Sequence, residues 1–128
     1  MAELKFAGAV LLSVALAMGW VLALLRTPAA GVIGKVIRSP RQLLRCHIDY
    51  LMMALFLFAF AALVEWPPMW LVWTAIVGAA VNPFMFFLTA LVPEWDQKPP
   101  KWYEALAIAS FLATTVGFGG LAWGIALG

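Results

Sequence analysis

Few side chains in this 128-residue protein can do chemistry. His47 is the only histidine, Cys46 beside it the only cysteine, and Asp49 and Tyr50 follow within one helical turn. One imidazole can coordinate a metal or haem iron, carry a proton, or hydrogen-bond a neighbouring segment. As a haem ligand it supplies one axial position and leaves the other side of the iron open, so two axial histidines from one chain are excluded. Cys46-His47 lacks the upstream cysteine of C-x-x-C-H, which rules out covalent c-type attachment. One cysteine and one histidine cannot build a zinc site or an internal disulfide framework. The P-loop, H-E-x-x-H and G-x-S-x-G patterns are absent.

The remaining polar groups are Asn82 and the hydroxyls of Ser13, Thr74, Thr89, Ser110, Thr114 and Thr115. On a helix, Tyr50, Leu51 and Ala54 share a face with His47 by the three/four spacing. Asp49 lies two positions from His47 and points elsewhere. It is expected to pair with Arg45 one turn earlier, with Lys101, or with the inner loops. The Asn82 amide either orients a ligand or bonds a neighbouring helix. Pro83 offers no N–H to the Ala79 carbonyl, so a kink is expected there. Phe84, Phe86 and Phe87 read as packing and lipid-facing bulk.

These groups must be positioned by apolar elements. The chain is 66% hydrophobic and 11% charged, with mean hydropathy +1.00, whereas soluble domains are roughly 45–50% apolar and about 25% charged. A water-soluble globule and a disordered chain are both excluded. So is a nucleic-acid surface, because net charge is only +2 and most cations sit in one short loop. Four long apolar runs begin at Phe6, Ile48, Met69 and Ala105. Each is long enough to cross a hydrocarbon core of ~30 Å, the second starting earlier because Ser39-Pro40 reads as an N-cap followed by proline at the first helical position. Continuous apolarity argues against a β-barrel. The first run exceeds the apolar core of a signal peptide and is expected to stay as a span. The expectation is an all-α, integral membrane four-helix bundle with up-down connectivity, one transmembrane domain over 1–128, with helices at about 4–25, 40–64, 69–92 and 103–127.

Arg26 to Cys46 holds Arg26, Lys35, Arg38, Arg41 and Arg45 and no acid. With the 93–101 connection it carries seven of the eight Lys and Arg. The positive-inside rule places this side in the cytoplasm and both termini outside, in a membrane expected to be a bacterial inner membrane. Topology alone accounts for the charge. Lys35, Arg38, Arg41 or Arg45 could in addition hold an anion such as a lipid phosphate or a haem propionate. Gly120-x-x-x-Gly124-x-x-x-Gly128 predicts close helix packing, within the chain or between protomers.

Two segments go further than composition. The first runs Ser39-Pro40-Arg41-Gln42-Leu43-Leu44-Arg45-Cys46-His47-Ile48-Asp49-Tyr50-Leu51-Met52-Met53, and the second Val77-Gly78-Ala79-Ala80-Val81-Asn82-Pro83-Phe84. Together they resemble the small four-helix membrane enzymes that include styrene oxide isomerase and hydroxylaminobenzene mutase. Pro40, Arg41, His47, Asp49, Met52, Gly78 and Asn82 carry the match. The first and last spans match by apolar character alone. The resemblance implies haem b as cofactor, with His47 as axial ligand and metal-binding residue, Arg38, Arg41 and Arg45 as propionate partners, and a homotrimer holding haem between protomers. It implies a redox-neutral rearrangement of a small lipophilic epoxide or arylhydroxylamine, with Asn82 as a catalytic candidate and Tyr50 or Ser110 as a substitute, by a different geometry, for family groups this chain lacks. Two family positions differ: Met53 stands where the family commonly has Asn, and Phe86 where the isomerase has Tyr. The alternative is a non-enzymatic haem-binding or structural membrane subunit. The lack of a carboxylate in mid-span weakens a third reading, a small transporter.

Overall fold

A computed structural model describes residues 2–128. The chain is all-α, with no strand among the described residues. Its helices are α1 (Ala2–Leu24), a single turn α2 (Ala30–Ile33), α3 (Pro40–Leu63), α4 (Met69–Leu91) and α5 (Lys101–Leu127), with a 3-10 turn at Pro93–Asp96. Four of them are long and apolar enough to cross a membrane.

The boundaries have local causes. Ser39 is extended, and its hydroxyl accepts from the Gln42 N–H at 3.4 Å. Pro40 then fills the first helical position, where a missing N–H costs nothing. At the other end α3 stops at Leu63, followed by Trp66-Pro67-Pro68. Residues before proline are pushed out of helical conformation, and Trp66 takes a positive φ of 51°. Pro93 ends α4, and Pro100 precedes α5. Helix α4 continues through Pro83 without a break. The basic connection contains one feature that the amino-acid pattern does not announce, the turn α2.

The four spans are arranged as a row and not as a closed ring. Helix α1 packs on α3, α3 on α4, and α4 on α5; α1 meets α4 only marginally, and α1 and α5 make no substantial contact. Burial follows: 39% of the apolar window is buried in each of α3 and α4, against 17% in α1 and α5. The principal core joins Leu11 and Ala15 of α1 to Ala54 and Leu57 of α3 and Val72 and Ala79 of α4. Phe60 and Phe118 meet edge to face at 5.2 Å and close the α3–α5 side.

Small residues set the closest approaches. A Cβ at Gly78 would fall 2.6 Å from the Thr114 backbone N, and one at Gly117 2.5 Å from the Ala75 backbone. At Gly120 a Cβ would meet the tip of the Leu71 side chain instead, at 2.6 Å. The expected glycine ladder is therefore only partly used inside the chain: Gly120 packs on α4, while Gly124 has nothing within 4 Å.

Candidate functional site

The polar groups lie in three different seams at one depth. In the α1–α3 seam, His47 Nδ1 is 2.6 Å from the Ala15 carbonyl oxygen. In the α3–α4 seam, the Tyr50 hydroxyl donates to the Ala80 carbonyl at 2.7 Å. In the α4–α5 seam, the Ser110 hydroxyl reaches Asn82 Oδ1 at 3.4 Å and also donates to the Ala107 carbonyl at 2.9 Å. At 1.5 Å per residue, all these groups lie roughly 10–20 Å from the helix ends that carry the basic loop. That is close to the midplane of a ~30 Å hydrocarbon layer.

His47 is fixed in a definite tautomer. A carbonyl oxygen can only accept, so Nδ1 carries a hydrogen, and in the neutral ring Nε2 then keeps its lone pair. The half-buried ring approaches α1 where Gly19 offers no side chain; a Cβ there would lie 3.1 Å from His47 Cε1. Around the ring is a groove of about 310 Å³, open on the membrane side and lined by Leu16, Gly19, Trp20, Ala23 and His47.

Tyr50 does not share the His47 surroundings, contrary to the three/four expectation. It is 5% exposed and turned to α4, whereas His47 is turned to α1. Residues three apart on a helix differ by about 60° in direction, enough to place them against different neighbours. Asn82 is further away in the row, on the α5 side of α4, so one chain alone does not bring Asn82 to His47.

The expected Asp49–Arg45 and Asp49–Lys101 pairs do not form; among the described residues the one ion pair is Arg38–Glu94. Its second contact, Arg38 Nη1 to Glu94 Oε2, is 3.2 Å. The Arg38 and Ser39 N–H groups both reach the Ala90 carbonyl, at 2.9 and 3.0 Å. The connection before α3 is thereby tied to the end of α4. The hydrogen bond from Arg38 holds the Glu94 carboxyl below the usual glutamate range. Arg38 is thus engaged, while Arg41 and Arg45 are exposed and unpaired. Arg41 lines a second cleft in the α1–α3 seam, together with Arg26, a cation that the residue spacing does not single out.

Among the described residues, no group of three or more His, Cys, Asp or Glu converges on a metal position. A bare zinc ion takes three or four protein ligands. An iron held by a porphyrin brings four nitrogens of its own and can take a single histidine. The single histidine is too few for the first case and supplies the one protein ligand that the second requires. No family model, curated protein or solved structure matches the chain.

Proposed function

We propose that the protein is a membrane-embedded haem-b isomerase or mutase that rearranges a small lipophilic oxygenated molecule, an epoxide or arylhydroxylamine, without net redox change. The observation that carries this reading is the hydrogen bond from His47 Nδ1 to the Ala15 carbonyl. A histidine ligand is oriented by what its other nitrogen donates to, and here that leaves Nε2 as the free donor in a groove open to the membrane. When bound, ferric haem supplies a Lewis-acidic iron for a substrate oxygen. His47 would hold the group, and Leu16, Trp20 and Ala23 would give it an apolar wall on the α1 side. Arg41 and Arg45 are the free candidates for the haem carboxylates; Arg38 is committed to Glu94.

One chain walls the groove on one side only. In a homotrimer, as the resemblance implies, the α4–α5 seam of a neighbour can face it. Asn82 lies at a matching depth, so its amide could then orient substrate. Tyr50 already donates its hydrogen to Ala80, and its oxygen remains able only to accept. The basic side is assigned to the cytoplasm by the positive-inside rule.

The second reading is a structural membrane subunit. It is favoured by one observation: Tyr50 and Ser110 spend their hydroxyl hydrogens on carbonyls within the chain. Absorption spectra separate the two. Wild-type protein purified in detergent and supplied with haem is expected to show a Soret band, and His47→Ala to lose it. Tyr50→Phe should keep the band. A wild type that stays colourless after haem is supplied would sink the haem reading and leave the structural one. With haem bound, conversion of an epoxide to its carbonyl isomer, or of an arylhydroxylamine to an aminophenol, tests the chemistry.

A further inference from the structure

Where α1 ends and α3 begins, the seam below His47 opens into a second cleft of about 380 Å³. Its walls are Leu22, Leu25 and Arg26 from the α1 end, and Pro40, Arg41 and Leu44 from the α3 start. Two exposed arginines on different elements thus border one space whose other walls are apolar. No acid occurs anywhere from residue 4 to residue 48 and none lines the cleft, while Glu94, from beyond the end of α4, is paired with Arg38. The start of α3 adds the positive end of a helix dipole. Among the described residues neither Arg26 nor Arg41 is in an ion pair, so the cleft keeps a positive potential at the end of the spans, where headgroups begin.

We infer that this cleft binds an anionic phospholipid, with Arg26 and Arg41 on the phosphate and Leu22, Leu25 and Leu44 against the upper acyl chain. Guanidinium forks suit phosphate oxygens, and charge-assisted hydrogen bonds are among the strong ones. The apolar walls require an amphiphile, which sets this ligand apart from free phosphate. The site shares Arg41 with the haem reading but does not rest on it: a protein without haem would still present the unpaired arginines to the headgroup layer.

The test is native mass spectrometry of the full-length protein in detergent with phosphatidylglycerol or phosphatidylcholine added at equal concentration. Wild type is expected to retain phosphatidylglycerol in preference, by about tenfold or more. The preference should fall severalfold in Arg26→Gln and in Arg41→Gln singly, and vanish in the double variant. Lys98→Gln with Lys101→Gln removes the same charge from the same side and should keep it. Arg26→Lys, which keeps the charge without the fork, should retain part of it. Equal retention of both lipids by wild type, or unchanged preference in the double variant, would overturn the proposal. So would complete displacement by an equal concentration of inorganic phosphate. Where haem is bound, a double variant that keeps phosphatidylglycerol but loses its Soret band would assign the pair to the haem carboxylates instead.

Discussion

At the scale of the residue, Gly19 decides how His47 stands. The ring reaches the Ala15 carbonyl only because α1 is bare at the next turn, where a Cβ would already be 3.1 Å from Cε1. Valine in its place adds two methyl groups that the ring must avoid. If His47 holds haem as proposed, Gly19→Val is expected to cut haem retention about tenfold or more, as loss of a ligand's supporting partner does, while helix content by circular dichroism stays unchanged. Titration of the apoprotein with haem measures it; an unaltered affinity would mean that ring and groove are not coupled. Of the candidate site, the residue types were legible from the chain: His47, Tyr50, Asn82 and the arginines were all singled out there. Their partners were not. Neither hydrogen bond to the Ala15 or the Ala80 carbonyl has a sequence signature, because each depends on which backbone happens to lie opposite.

At the scale of the element, two junctions make opposite predictions. The α4–α5 seam is set by backbone contact at Gly117, where a Cβ would fall 2.5 Å from Ala75. Gly117→Ala must push the helices apart, and overpacking of this kind costs about 1–3 kcal/mol. Gly124 meets nothing within 4 Å, so Gly124→Ala should be neutral or slightly favourable through helix propensity. Unfolding midpoints in mixed detergent compare the two; equal losses would show that Gly124 too is packed, against another copy. The second junction is Arg38–Glu94. Its carboxyl titrates below the usual range in the folded protein, so the unfolded chain binds the proton first. The pair's contribution is complete above the ordinary glutamate value of about 4.3. It drains away as pH falls through that value and then through the lower folded one. Both partners are exposed, so the effect is small and salt-sensitive. Glu94→Gln should remove this part of the acid sensitivity, and an unchanged pH profile would show that the pair contributes nothing. The helices themselves were readable from apolar runs and from Ser39-Pro40, because span length and capping are local properties. The Arg38–Glu94 pair joins residues 56 apart in the chain, and no local pattern encodes it.

At the scale of the whole molecule, the row α1–α3–α4–α5 matters more than the helix count. Apolar spans in a membrane gain little from sequence-wide hydrophobicity when choosing neighbours, because lipid is as apolar as leucine. Neighbour choice falls to small residues and isolated polar contacts, so a composition that fixes four spans says little about whether they close into a ring. The row also bears on biosynthesis. Its best-packed pairs are α1 with α3, joined through the basic connection, and α4 with α5, joined through a shorter one of mixed charge; the two halves meet mainly along α3 and α4 across the short Val64–Pro68 turn. A nascent chain can therefore enter the bilayer as two successive hairpins, each satisfied internally before the second docks on the first. Co-expression of residues 1–66 and 67–128 as separate polypeptides should then yield a complex that co-purifies. Halves that are each degraded would show instead that the spans must be threaded as one continuous chain.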